Sequence, residues 1–128
     1  MLDMQIFGDQ RGKLISLEGN KNVPFDIKRV YYIFDTLPDE ERGKHAHKNL
    51  EQIIIAIDGA CQMLLDDGEK REYVWLNTPE KGLYIGKNMW REMRHFSYGC
   101  KLMVLASDYY NPEEYIRNYD DFLKEVKK

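Results

Sequence analysis

Two of the three histidines in the chain, His45 and His47, are separated by a single residue. On a β-strand this spacing places both imidazole rings on one face, because successive side chains point to opposite sides. The pKa of imidazole lies near neutrality, so a pair that faces a cavity is suited to proton transfer or to metal binding. We therefore expect this pair to carry chemistry.

A metal site at this pair would need further ligands. His45, His47 and Glu51 have the spacing of the first metal motif of cupin proteins, in which a third histidine follows in a later motif. The later region, residues 79–84 (PEKGLY), contains no histidine. Three ligands can hold non-haem iron, but the lysines on either side of the pair would repel a dication if they pointed inward. We expect no metal and predict that His47 transfers a proton.

The segments around the pair predict many short strands. Residues 27–34 (IKRVYYIF) and the apolar run 52–57 (QIIIAI) carry the strongest strand signals, the second typical of a strand buried on both faces. Asp58-Gly59 is a hairpin dipeptide, which predicts 60–65 as the partner of 52–57. Further strands are predicted at 14–17, 72–76, 82–85, 89–92 and 101–106. Some eight strands with closely spaced turns indicate a sandwich, jelly roll or barrel.

The C-terminal segment has a helical pattern. Asn111 is a good N-cap, Pro112 suits the first helical position, and Glu114 follows the cap by three residues. Apolar and aromatic residues then recur at helical spacing at Tyr115, Tyr119, Phe122 and Val126. This pattern predicts an amphipathic helix from Asn111 onward, packed on the strands or on a partner subunit.

Composition narrows the classes of function. The 128 residues fit one domain, 1–128, and 43% hydrophobic with 32% charged residues is typical of a folded soluble protein. A net charge of −3 without a basic cluster argues against nucleic-acid binding. There is no apolar run long enough for a membrane span and no export signal. Cys61 and Cys100 fit no zinc or redox motif, and we expect two free thiols in a reducing cytoplasm.

The residues around the pair form a longer motif. RGxHAHK at 42–48, then Gln52 and an apolar strand that ends at Gly59, resembles the signature of the dTDP-4-keto-6-deoxyglucose 3,4-ketoisomerases. The resemblance extends from about Lys13 to Phe122. In that pattern the family position is Gln52, so the match of Glu51 to a metal motif is accidental. Later segments that match are 64–68 (LLDDG), 82–85 (GLYI), 90–93 (WRxM), 96–97 (FS), 105–107 (LAS) and 115–122 (YIRxYxxF).

This resemblance implies an all-β fold, the double-stranded β-helix or cupin jelly roll, with a C-terminal α-helix. It also implies a homodimer with strands exchanged between subunits, and no metal or organic cofactor. The implied substrate is a dTDP-linked 4-keto-6-deoxyhexose, which is converted into its 3-keto isomer. An aminotransferase would then make 3-amino sugars for surface polysaccharides.

A carbonyl shift removes a proton from C3, passes through an enediol and returns a proton to C4. One base of near-neutral pKa can serve both steps. We predict His47 as that base and His45 as a group that moves a proton between the two oxygens or orients the sugar. Arg42, the nearest arginine in sequence, is the predicted partner of the enediolate charge.

The nucleotide part needs cations for the diphosphate and a ring for thymine. Arg29, Arg91 and Lys48 are the predicted phosphate ligands. Tyr31 and Tyr32 alternate on a strand, so only one can face the cavity, and we favour Tyr32. Gln52 begins a buried strand, and its amide needs a partner, either the substrate or a backbone group. Trp90 is assigned to the core, whereas nothing in the sequence fixes the direction of Arg94 and His95.

Two rival functions remain at this stage. A cupin nucleotide-sugar epimerase would remove protons at C3 and C5 beside a fixed C4 carbonyl, commonly in a longer chain. A metal-dependent oxygenase or a ligand-sensing cupin would need a metal, a DNA-binding segment or a partner domain. The sequence does not fix whether C4 of the product has the gluco or the galacto configuration.

Overall fold

The computed structural model describes residues 1–38 and 40–127. These residues form two five-stranded antiparallel sheets, a separate hairpin and a C-terminal helix, α1 (Tyr119–Val126), which follows a 3-10 turn at Pro112–Glu114. The strands are β1 (Leu2–Asp3), β2 (Phe7–Asp9), β3 (Gly12–Leu14), β4 (Arg29–Ile33), β5 (Arg42–His47), β6 (Gln52–Asp58), β7 (Cys61–Asp66), β8 (Arg71–Leu76), β9 (Lys81–Ile85), β10 (Trp90–Arg94), β11 (Lys101–Ala106) and β12 (Tyr115–Ile116).

The two sheets enclose the main core. The first has the order β1-β9-β6-β11-β4 and the second the order β12-β5-β10-β7-β8, while within the described residues β2 and β3 pair only with each other. Ile54 and Val104 from the first sheet meet Met63 and Met93 from the second, and all four are buried. The predicted fold class, an all-β jelly roll with a C-terminal helix, is confirmed.

Both sheets are also covered on their outer faces. Val23 and Phe25 from the N-terminal segment pack on Ile53 and Ile55 of β6. Residues of α1 pack in the same way on the outer side of the second sheet, where Phe122 meets Trp90 and Ala46. A strand covered on both faces has no polar side, which explains the continuous apolar run of β6.

Two of the predicted strands differ from the structure. Gly59 takes the positive φ of 74° that its turn signal requires. However, β6 and β7 lie in different sheets, so the predicted pairing of 52–57 with 60–65 is wrong. A turn dipeptide sets the local backbone, whereas the partner of a strand depends on distant residues. The predicted strand at 14–17 is also wrong, because β3 ends at Leu14, and Ile15 and Leu17 pack on the N-terminal core without joining a ladder.

The predicted helix start at Asn111 is wrong as well. The Asn111 side chain accepts the Glu113 N–H at 3.1 Å, but it caps only the 3-10 turn. The chain then extends as β12 and pairs with β5, and α1 begins after a second cap, Asn118. The Glu114 carboxylate accepts the N–H groups of residues 49 and 50, which ties the segment to the β5–β6 connection. In the described ranges, no helix has the length and hydropathy to cross a membrane.

Candidate active site

His45 and His47 lie side by side on the inner face of β5. Their Nε2 atoms are 3.0 Å apart, and the ring centroids are 4.7 Å apart with the planes nearly perpendicular. His47 is fully buried and His45 is half-buried. At this distance one Nε2 donates a hydrogen and the other accepts it, so the two imidazoles are coupled. The expectation that both rings share one face is confirmed.

The charge state of the pair follows from its surroundings. Burial, together with the positive charge of Arg91, lowers the pKa of His45 to about 3 and the pKa of His47 to about 2. Both rings are therefore neutral at physiological pH. A neutral imidazole has a free lone pair, and a general base needs one. In the described part of the chain, His47 Nδ1 is buried without a hydrogen-bond partner.

Arg91 lies on β10 directly opposite His45 and is almost fully buried. Its Nη1 donates to the Gln52 side-chain oxygen, and its Nη2 and Nε donate to the Met89 carbonyl at 3.1 and 3.3 Å. The Gln52 amide in turn donates to the Tyr31 hydroxyl at 3.0 Å. Burial lowers the pKa of Arg91 to about 10, so it remains a cation at neutral pH. None of these partners is a carboxylate, and a buried cation without a counter-charge favours an anion beside it.

Arg29 extends the site along the first sheet. Its guanidinium lies 5.1 Å from the centre of the Tyr31 ring and 5.7 Å from that of Tyr110. Within residues 1–38 and 40–127, its Nε and Nη2 are buried without hydrogen-bond partners. Buried donors of this kind are normally satisfied, so they are available to a ligand. Tyr31 points inward, whereas Tyr32 is 73% exposed, so the preference for Tyr32 is wrong. Strand alternation left that choice open, and packing decides it.

Arg42 and Lys48 lie at the two ends of the histidine strand. His45 pairs with Arg91 and Arg42 with Met93, so β5 carries one extra residue at a bulge around Gly43, whose φ is +68°. The structure therefore places the exposed Arg42 at the far end of β5 from His47. Lys48 is exposed beyond the other end, where its backbone N–H donates to the Glu114 carbonyl. Neither cation is brought against the rings in the way that Arg91 is.

Other residues singled out by sequence have contacts elsewhere. Trp90 is buried and packs on Phe122, as expected for the core. Arg94 pairs with Glu92 at 3.0 Å, and the His95 ring stacks on Trp75. The Glu51 carboxylate accepts the Tyr84 hydroxyl, so it is not directed at the histidines. Among the residues that the structure describes, no group of three or more His, Cys, Asp or Glu is placed to hold a metal ion.

The structure adds Tyr115, which sequence reasoning assigned to a helix. Tyr115 lies opposite His47 in the β12–β5 ladder, and its ring is 4.4 Å from that of His47 and 4.9 Å from that of His45, centre to centre. The Arg117 guanidinium lies 4.4 Å from the centre of the Tyr115 ring. The sequence did contain a signal for a later helix start, namely a second capping residue, Asn118. Its side-chain oxygen accepts the free N–H of Asp121, three residues further on.

Comparisons with known proteins identify the family of the chain. The family model FdtA: WxcM-like, C-terminal matches residues 1–127. A curated TDP-4-oxo-6-deoxy-alpha-D-glucose-3,4-oxoisomerase from Aneurinibacillus thermoaerophilus is 53% identical over 120 residues, which are 94% of this chain and 86% of that protein. The free, buried state of Cys61 and Cys100 also agrees with the sequence expectation.

Two solved structures are similar over almost their whole length. The WlaRB TDP-quinovose 3,4-ketoisomerase from Campylobacter jejuni is 62% identical, with a TM-score of 0.93, and covers 96% of this chain and 95% of its own. A histidine-to-asparagine variant of the ketoisomerase QdtA from Thermoanaerobacterium thermosaccharolyticum, in complex with TDP-4-keto-6-deoxyglucose, is 44% identical, with a TM-score of 0.95, and covers 98% of this chain and 91% of its own. The resemblance inferred from the RGxHAHK motif is confirmed, and the chain belongs to the FdtA family of WxcM-like, C-terminal proteins.

Proposed function

We propose that this chain is a sugar 3,4-ketoisomerase that moves the carbonyl of a TDP-linked 4-keto-6-deoxyhexose from C4 to C3, with His47 as the base. The observation that carries the proposal is a neutral, coupled histidine pair on the inner wall of the barrel, beside a buried guanidinium. The relatives named for this reaction on TDP-linked sugars support the assignment of substrate.

The pair has the properties that the proton transfers require. In the tautomer in which His47 Nε2–H donates to His45, the Nδ1 of His47 carries a free lone pair. That lone pair takes the C3 proton, and the same ring returns a proton to C4. His45 accepts that hydrogen bond at Nε2, which leaves its Nδ1 as the nitrogen proposed to move a proton between the two sugar oxygens. The proposed proton transfers use no external cofactor.

Negative charge develops on the enediolate, and Arg91 is the cation placed to stabilise it. A fixed charge in a dry interior stabilises a transition state without any cost of reorganisation at the moment of reaction. Gln52 holds the Arg91 guanidinium and Tyr31 in register. Arg91 therefore takes the role that the sequence assigned to Arg42, and Arg42 is proposed as a ligand at the rim of the barrel.

Arg29 and Lys48 are proposed as ligands of the diphosphate. The free donors of Arg29 fit phosphate oxygens, and Lys48 stands exposed beside the end of the histidine strand. Tyr31 replaces Tyr32 as the aromatic group of the site. The product carries a ketone at C3, and an aminotransferase acting on that ketone would make a 3-amino sugar.

We also propose a homodimer formed through the outer side of β4 and the N-terminal hairpin. β4 is an edge strand of the first sheet, where Tyr32 is 73% exposed, and Phe34, just beyond the end of β4, is 55% exposed. Phe7 and Leu14 are exposed on the β2–β3 hairpin, which pairs with no other strand in the part of the chain that the structure describes. A largely apolar cavity of about 260 Å³ lies nearby and is lined by residues that include Ile15, Leu17, Ile57 and Met103. Exposed apolar surface on an edge strand favours association with a second copy, including strand exchange.

The test is NMR of TDP-4-keto-6-deoxyglucose incubated with the protein in D₂O. A ketoisomerase moves the carbonyl signal to C3 and creates a new carbon-bound hydrogen at C4, either the proton taken from C3 or deuterium from the solvent. An epimerase would leave the carbonyl at C4 and exchange the protons at C3 and C5. A sensor would return the sugar unchanged, and an oxygenase would consume O₂. A carbonyl that stays at C4, a sugar that is returned unchanged, or O₂ uptake would each contradict the proposal.

The same spectra show, through the configuration of the product at C4, whether one or two groups transfer protons. The C3 hydrogen of a gluco sugar points to the ring face from which proton return at C4 gives the galacto configuration. His47 acting alone from one face therefore yields a galacto product, whereas a gluco product requires a second donor on the other face. The relative at 62% identity is named for quinovose, which has the gluco configuration. Coupling constants at H4 distinguish the two products.

A further inference from the structure

Tyr115 covers the histidine pair from the edge of the second sheet. Its strand, β12, has two residues, and Tyr115 faces His47 across the ladder. The contact with His47 is edge-to-face, at 65° between the ring planes, and the contact with His45 is tilted at 48°. One aromatic ring is therefore in contact with both imidazoles, which fixes the plane of each against the other.

The backbone on both sides of Tyr115 is held in place. The Glu114 carboxylate accepts the N–H groups of Asn49 and Leu50 at 2.6 and 3.0 Å, and the Glu114 carbonyl accepts the N–H of residue 48. On the other side Ile116 is buried in the cluster under α1. Because both neighbours are fixed, Tyr115 has little freedom to leave the rings.

Two side chains hold the ring of Tyr115 itself. The Arg117 guanidinium lies 4.4 Å from its centre, and the Tyr110 ring lies 5.8 Å away at 70°. A guanidinium over an aromatic face is attracted by the charge distribution of the ring. Arg117 is exposed, so this stack lies between the histidines and solvent.

We propose that Tyr115 is a positioning residue for the isomerisation, which holds His45 and His47 in register through its ring and keeps water from His47. The proposal rests on the function proposed above. It assigns the effect to the ring and not to the hydroxyl, because the contacts with both imidazoles are ring contacts. Shielding also keeps the imidazolium form unfavourable, so His47 stays a neutral base.

The charges that face His47 come from three sides. Arg91 comes from β10, Arg29 from β4 and Arg117 from the end of β12, and His45 lies on the same strand. The hydroxyl groups of Tyr31 and Tyr115 lie near Arg91. None of the groups that act on His47 is a carboxylate in the described part of the chain. Water admitted by loss of the ring would hydrate the imidazolium form, and the pKa of His47 would rise.

The experiment compares Tyr115→Phe with Tyr115→Val in the full chain, with kcat and KM measured across pH. Tyr115→Phe keeps the ring, and we expect a kcat within about threefold of wild type, whereas misplacing the base in Tyr115→Val lowers kcat by about 100-fold. We expect KM to stay near that of wild type in both variants. The acid limb of the pH profile should move upward only in Tyr115→Val.

A second readout does not depend on turnover. Imidazole NMR signals of His47, assigned with His47→Asn, should titrate at higher pH in Tyr115→Val than in wild type or Tyr115→Phe. If Tyr115→Val fails to fold, Tyr115→Ile, with a larger β-branched side chain, replaces it. Equal losses in Phe and Val variants would assign the effect to the hydroxyl and overturn the proposal. So would an unchanged titration and kcat in Tyr115→Val. A wild type that leaves the carbonyl at C4 would instead reject the proposed function.

Discussion

The Nε2 atoms of His45 and His47 lie 3.0 Å apart in the interior of the barrel and share one hydrogen. This contact links the protonation of the two rings, because a proton taken by one changes which nitrogen of the other can donate. It also explains why two histidines with one intervening residue are useful on a strand. The positive charges of three arginines on the surrounding elements disfavour the imidazolium form of His47.

The first prediction concerns stability in acid. Both histidines have a folded-state pKa far below the ordinary value of 6.5. Below pH 6.5 the unfolded chain therefore binds protons at these residues that the folded chain does not bind. The free energy of unfolding should fall as the pH falls, by about 1.4 kcal/mol per pH unit for each histidine. His47→Asn should reduce this slope by the contribution of one histidine, as measured in urea titrations between pH 6 and 4. An unchanged slope would show that His47 is protonated in the folded protein.

The second prediction concerns the chain of hydrogen bonds from Arg91 through Gln52 to Tyr31. Gln52→Leu removes the acceptor of a buried guanidinium and the donor to the hydroxyl of the half-buried Tyr31. We expect a loss of about 3 kcal/mol in the free energy of unfolding, because groups buried without partners carry their full desolvation cost. Urea titration measures it. Gln62→Leu is the matched control, because Gln62 is a half-buried glutamine of β7 that takes no part in these hydrogen bonds. Equal losses in the two variants would contradict the role of the network.

Much of the fold was predictable because local sequence favours extended backbone where β-branched and aromatic residues cluster. β6 begins at Gln52 and β11 spans residues 101–106, as predicted. The partner of β6 was not predictable, since Asp58-Gly59 encodes a turn and not a choice of sheet. Distant residues make that choice, through β9 and β11.

In the candidate site, too, local sequence predicts some features, whereas distant residues decide others. The histidine pair could be identified because H-x-H spacing has one geometric consequence on a strand. Tyr115 could not, because the cap at Asn111 is locally correct and ends after one turn. The pairing of β12 with β5 and the hydrogen bonds of Glu114 then override the helical periodicity. Tyr31 and Tyr32 are equivalent by alternation, and only the packing of β4 on the core distinguishes them.

A third prediction concerns the dimer. Tyr32→Arg adds a charge to the exposed side of the edge strand β4 and should dissociate the dimer, because an unpaired charge cannot be buried cheaply. Light scattering after gel filtration should give twice the chain mass of 15.3 kDa for wild type and a single chain mass for the variant. Tyr98→Arg, at an aromatic residue that is 86% exposed, is the control and should remain dimeric. A dimeric Tyr32→Arg would place the interface elsewhere.

The most direct test of the central claim compares two histidine substitutions in single-turnover NMR with TDP-4-keto-6-deoxyglucose. His47→Asn removes the proposed base, whereas His95→Asn makes the same chemical change where the ring contacts Trp75. We expect His95→Asn to move the carbonyl to C3 at the rate of wild type. We expect His47→Asn to bind the sugar but to slow its isomerisation by at least about 100-fold, the contribution of a general base. Undiminished isomerisation by His47→Asn would show that another group takes the C3 proton.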